Sequence, residues 1–238
     1  IYAKKASTEW QLVNIEGDET KVTKLDLATV LPGVKDGSFV GKLEEMRWSG
    51  NSDYLLLKAS YDGKAEWILL NLKDVKRSLN LTQTFGLNFA QVEMIDDSAN
   101  RLFVLENRHI RRINTSDGTI SQVLLSDIES FASEGPNLIY AQKIVKDSKT
   151  EQKIGTYRDG ERSGVAVAEV KPEATVKVAL AKYYDEDYLA YFVDDKLTVY
   201  YGAVPNYHEN VDDNVELANL QVLLLDESFA AAPQTFAV

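Results

Sequence analysis

Apolar positions in this chain fall into short runs of four to eight residues, separated by turns rich in Gly, Asn, Asp and Ser. The grouping recurs at intervals of roughly 36 to 51 residues. The clearest copy reads Trp48-Ser49-Gly50-Asn51-Ser52-Asp53-Tyr54-Leu55-Leu56-Leu57. It aligns with Ile95-Asp96-Asp97-Ser98-Ala99-Asn100-Arg101-Leu102-Phe103-Val104, displaced by 47 residues. A period of this length means one small supersecondary unit repeated, either stacked or arranged about an axis. The run Tyr54-Leu55-Leu56-Leu57 lacks polar alternation, which predicts a strand buried on both faces. Nowhere does an apolar i, i+3, i+4, i+7 stripe hold over three turns, so no long helix is expected.

The pattern predicts an all-β chain of about five units, near 1–33, 42–84, 89–125, 131–179 and 178–226, with 233–238 starting or completing a further one. The first unit reads as three strands, Ile1 to Lys4, Trp10 to Ile15 and Val22 to Leu27, followed by a loop from Val30 to Gly37. Strands at Leu43, Tyr54, Glu66 and Leu79 to Thr84 make the second, with hairpin turns at Asn51-Ser52-Asp53 and Tyr61-Asp62-Gly63-Lys64. The third runs through Ala90, Arg101, Ile110 and Thr119. Asp127 to Ser133 reads as a first-strand equivalent or a linker. The fourth takes Leu138, Lys153, Val165 and Thr175 to Ala179, and the fifth Val178, Tyr188, Lys196 and Leu220 to Leu225. Pro205 to Leu217 is expected to be the longest loop.

Four-stranded units opening on an aromatic-Ser turn resemble the blades of a β-propeller. Trp48-Ser49-Gly50-Asn51-Ser52 with Leu55-Leu56-Leu57 is similar to the W-S-P-D-G-x-x-L signature of TolB-like, WD-repeat-like bacterial blades. It departs from that signature at Gly50, where the family carries Pro, and at Ser52, where it carries Gly. The resemblance implies a single propeller domain or propeller fragment in an envelope or cell-surface protein. Trp48, Ser49, Gly50 and Asn51 are then structural signature residues, and no catalytic residue is carried over. Two closures follow: a five-bladed ring completed by Gln234 to Val238, or an arc of a larger propeller. The abrupt start at Ile1 favours the arc.

Charge narrows the partners. The net charge of -11 disfavours nucleic acid and anionic membrane surfaces, which need clustered Lys and Arg. The densest basic spot, Arg108-His109-Ile110-Arg111-Arg112, is split by strand alternation, and His109 is expected to face solvent. The absence of cysteine excludes disulfides and thiolate chemistry. No apolar run reaches the roughly 20 residues that cross a bilayer.

Candidate chemistry is thin. His109 and His208 lack metal spacing, and no cofactor is expected. Gly160-Glu161-Arg162-Ser163-Gly164 sets its Ser one place off a nucleophile elbow and reads as a turn. Asp185, Asp187, Asp194 and Asp195 are the weak candidates for a metal, Ca²⁺ being the ion that closely spaced carboxylates in turns suit. The tyrosines around Tyr183 to Tyr207 read as strand packing before sugar stacking. Asn80-Leu81-Thr82 and Asn114-Thr115-Ser116 match the glycosylation sequon. The expected function is a non-enzymatic scaffold that binds a protein or a glycan through loops at one end. The alternative is a propeller belonging to a glycan-processing enzyme or gating a serine peptidase. Trp48 is expected to be the tryptophan whose loss costs most.

Overall fold

The computed structural model describes residues 2–3, 9–16, 19–35, 38–183, 186–194, 196–201 and 222–225. Its first sheet has the order β1 (Tyr2–Ala3), β2 (Glu9–Glu16), β3 (Glu19–Asp26). A two-stranded hairpin follows, β4 (Val34–Lys35) with β5 (Ser38–Phe39), where the sequence reading had only a loop. Four meanders of four strands come next: β6 (Lys42–Trp48) to β7 (Tyr54–Tyr61), β8 (Lys64–Asn71) and β9 (Leu79–Asn80); then β10 (Gln91–Met94), β11 (Arg101–Glu106), β12 (His109–Asn114) and β13 (Thr119–Ile120). The third is β14 (Ile128–Glu134), β15 (Asn137–Lys146), β16 (Lys149–Arg158) and β17 (Val165–Val170). The last is β18 (Val176–Tyr183), β19 (Glu186–Val193), β20 (Lys196–Tyr201) and β21 (Val222–Leu225). In each, sequential strands are neighbours, which is the blade meander of a β-propeller.

Three expectations are corrected. Four sheets, not five, are four-stranded among the described residues, because the first has only three strands and β1 is two residues long. The Leu79 to Thr84 strand stops after Asn80, whose side chain accepts from the Gln83 N–H and starts the helix α1 (Leu81–Phe85). Gly86, left-handed at φ 63°, ends it. Thr175 to Ala179 does not close the fourth unit; it falls on β18 and opens the fifth, while β14 supplies the fourth unit's first strand. The insertion at 205–217 and the tail at 233–238 lie outside the described residues.

The chain divides into two compact units. One is 1–92 with the turns 96–101 and 114–119, and the other is 93–95, 102–113 and 120–238. In the first, Leu25, Leu27 and Leu31 pack with Leu55, Leu57 and Ala59 and with Ile68 and Leu70. Leu56, on the opposite face of β7, is also fully buried, as the unbroken apolar run requires. In the second, Phe103 meets Phe131 and Tyr157 edge-on at centroid distances of 6.5 and 6.3 Å. Leu138, Tyr140, Ile110 and Ile128 join that cluster. Ile139 and Ile154 form another with Leu180, Leu189 and Tyr191.

Candidate functional site

The blade-opening turn is built around Ser49, not Trp48. Ser49 is 4% exposed. Its Oγ accepts from the Tyr54 N–H at 3.0 Å and donates to Asn51 Oδ1 at 2.8 Å. Asn51 Oδ1 accepts in addition from the Asp53 N–H at 3.0 Å. The Ser52 N–H reaches the Ser49 carbonyl, which leaves Ser52 left-handed at φ 60°. The copy displaced by 47 residues repeats this geometry: the Ala99 N–H reaches the Asp96 carbonyl, and Ala99 stands at φ 51°. A Cβ on Gly50 would lie 2.5 Å from Asp97 Oδ1, so a larger residue there would make that carboxylate turn aside. Trp48 itself is 44% exposed, so the expectation that it is the critical tryptophan is corrected. Trp67 is fully enclosed, and its Nε1–H donates to the Phe89 carbonyl at 3.0 Å.

Of the acidic candidates, Asp187 and Asp194 lie within the described residues. Asp194 is the first residue of the β19–β20 turn, at φ 54°, and its Oδ1 accepts from the Thr175 N–H at 3.0 Å. Asp187 lies on β19 opposite Lys182, and Asp185 and Asp195 fall outside the described residues. Among the described residues no three His, Asp or Glu side chains gather closely enough to hold a metal ion. His208 is likewise outside them. His109 does not face solvent: it is half-buried and its Nδ1 is enclosed without a hydrogen bond. Gly164 has a packing role. A Cβ on it would overlap the Tyr140 hydroxyl, and one on Gly155 would overlap the same ring while lying 2.8 Å from the Val165 carbonyl. Tyr191 is buried, as the packing reading of the tyrosines has it.

Both sequons are spent on structure. Asn80 caps α1 and donates Nδ2 to Glu66 at 2.6 Å. Asn114 accepts from the Ser116 N–H at 3.0 Å and donates to Asp117 Oδ2 at 3.1 Å. The Thr119 hydroxyl and N–H, both bonded to Asp117, hold that carboxyl below its ordinary value. Burial pushes the phenols of Tyr140 and Tyr157 up, and the Asp159 carboxylate adds to the rise at Tyr157 while Arg112 opposes it.

Two hollows flank one hairpin tip that the sequence reading treated only as a turn. Asp62 at φ 51° and Gly63 at φ 74° form the two-residue turn between β7 and β8. On one side a hollow of about 410 Å³ is lined by Val40, Lys42, Glu44, Ser60, Asp62 and Lys64 among others. On the other, about 290 Å³ is bounded by Pro32, Gly33, Tyr61, Lys64, Glu66 and Gln83. The Tyr61 ring lies against Gly33, where a side chain would collide with it. Glu66 Oε2 accepts from Asn80 Nδ2 at 2.6 Å and from Gln83 Nε2 at 2.9 Å, so α1 and β8 hold the wall together. The Trp67 N–H adds a bond to Thr82 Oγ1 at 2.9 Å.

These sheets define an all-β protein of the β-propeller type. No family model matches the chain, and no curated protein matches it in sequence. Solved structures similar to it include a prolyl endopeptidase at TM-score 0.52 and 12% identity, covering 78% of this chain and 28% of that one. An oligogalacturonate lyase in complex with manganese follows at TM-score 0.49 and 11% identity, over 94% of this chain and 59% of that one. TolB from Acinetobacter baumannii matches at TM-score 0.42 and 13% identity, over 79% of this chain and 49% of that one. At such identities the likeness is one of fold, and it spans only part of each relative. Among the described residues no helix is long and apolar enough to cross a membrane.

Proposed function

We propose that this chain is a non-enzymatic β-propeller scaffold that binds a partner or ligand through the β7–β8 tip and the two hollows beside it. The observation that carries the reading is two open hollows of mixed polar and apolar lining beside one tip, the second with a wall fixed by Asn80, Gln83 and Gly33. Rigid walls cut the ordering cost of binding. A bacterial envelope or surface setting belongs to the proposal, following from the resemblance of the Trp48 to Ser52 turn to TolB-like blades.

The test places a photo-crosslinking residue at Asp62 and, as a control, at Val145, an exposed residue on β15. Irradiation in a bacterial envelope extract is expected to give discrete adducts from position 62 and none from 145. Identical patterns from the two positions would show that the tip is no preferred contact.

A further inference from the structure

The lining of the two hollows selects a ligand class, on the reading that this face is the binding face. Two lysines, Lys42 and Lys64, stand against three carboxylates, Glu44, Asp62 and Glu66. An anionic ligand therefore meets more negative than positive charge. A cation meets lysines on both sides of the tip, so the lining selects neither sign of charge. Val40, Ala65, Pro32 and the Tyr61 ring give both hollows apolar surface, but charged and hydrogen-bonding groups interrupt it, so the lining fits a ligand that is itself part apolar and part polar. What the site has in quantity is hydrogen-bonding groups of both kinds around an aromatic ring. Carboxylates only accept, the lysines only donate, and Ser60 and Gln83 do both.

Part of the second hollow's lining is set in place. Asn80 uses Oδ1 to cap α1 and Nδ2 to hold Glu66, so one side chain ties the helix to β8. Gln83, one turn into the helix, reaches the same carboxylate oxygen. A carboxylate has about four acceptor positions, which leaves Glu66 capacity beyond these two bonds. The hollows, about 410 and 290 Å³, sit at or just below the low end of the roughly 300–1,000 Å³ of ligand pockets. Each suits a single small ring, and the tip between them suits a chain of such rings laid across it.

We propose that the β7–β8 tip binds a neutral oligosaccharide, one sugar unit in each hollow. Sugar hydroxyls donate and accept together, which the mixed lining requires. The apolar C–H face of a pyranose packs on an aromatic ring, here that of Tyr61.

The whole chain is titrated separately with cellotetraose, maltotetraose and chitotetraose while backbone amide shifts are followed. At least one is expected to bind saturably, with shifts concentrated at residues 61–66 and 80–83. Tyr61→Ala and Gln83→Ala are each expected to weaken it about tenfold, equivalent to about 1.4 kcal/mol. Gln83 is exposed, so its variant keeps the test valid if loss of the Tyr61 ring disturbs the hairpin. Trp48→Ala is expected to change nothing. The proposal fails if no tetrasaccharide saturates by about 10 mM, beyond the weak end of specific affinity. It fails equally if both variants bind as the parent does, or if the shifts gather elsewhere. Position-62 adducts without any sugar response would sink the saccharide while leaving the binding face standing.

Discussion

Trp67 and Trp48 separate what a tryptophan does in a sheet core from what it does on a strand's open edge. Trp67 is fully enclosed and satisfies the Phe89 carbonyl, so Trp67→Ala leaves a cavity and an unpaired acceptor. We expect a loss of about 3–5 kcal/mol in urea unfolding. Trp48→Ala, at a site 44% exposed, should cost no more than roughly 0.5 kcal/mol. Equal costs would refute the burial argument. Gly164 and Gly155 make a second residue-scale case. Gly164→Ala meets the Tyr140 hydroxyl most closely, with ring carbons Cε1 at 2.9 Å and Cζ at 3.0 Å, whereas Gly155→Ala meets the hydroxyl and Cζ alike and the Val165 carbonyl at 2.8 Å. Tyr140→Phe should therefore rescue more of the Gly164→Ala loss than of the Gly155→Ala loss. A double-mutant cycle in which both are rescued alike would show that the hydroxyl is not the obstacle. None of this was legible in the sequence, where Gly164 read as a turn residue and Trp48 stood in the signature position. Close approach and exposure depend on what another strand brings alongside.

At the scale of the element, the turns carry the repeat more faithfully than their residues do. Ser52 and Ala99, displaced by 47 residues, both hold the left-handed conformation that a glycine would hold freely. The middle hairpins behave likewise. Asp62-Gly63, Asn107-Arg108 and Asp147-Ser148 are two-residue turns with both φ positive, and only the first contains glycine. That is why the strands on either side were readable while two of these turns were not. Their geometry is set by the pairing of the strands, and the Asn or Asp at the first position is the only local signal. A non-glycine residue held left-handed costs roughly 1–2 kcal/mol, offset in part by glycine's greater freedom when unfolded. Ser52→Gly and Ser148→Gly should then each raise stability by about 0.5–1 kcal/mol. A fall in the urea midpoint for both would mean that the serine side chains hold the turns. The α1 segment was missed for a related reason: a five-residue helix shows no periodicity, and only Asn80 before it and Gly86 after it mark its ends.

For the molecule as a whole, the chain's strong acidity and its buried phenols bear on one measurable property, stability against pH. Tyr140 and Tyr157 are 2% and 3% exposed, and burial raises both phenols above the ordinary value of 10.0. The folded state therefore holds these protons more tightly than the unfolded chain does. Below about pH 10 both states are protonated and the phenols' contribution is whole. It is lost as pH rises through the folded values. Around Tyr157 the loss has a second face. Asp159, whose side chain is 4% exposed, pairs with Arg112 at 2.7 Å and keeps negative charge beside the phenol. Self-repulsion in a chain of net charge -11 also grows as lysines lose their protons, but it acts on every variant alike. The comparison that isolates the phenols is Tyr140→Phe with Tyr157→Phe against the parent. Urea midpoints at pH 9 should fall for the double variant by whatever the hydroxyls contribute. Between pH 9 and about pH 11 the parent should then lose more stability than the variant does. Parallel losses over that interval would mean that neither phenol ionises differently on unfolding, and that the packing around Phe103 admits more water than this structure gives it.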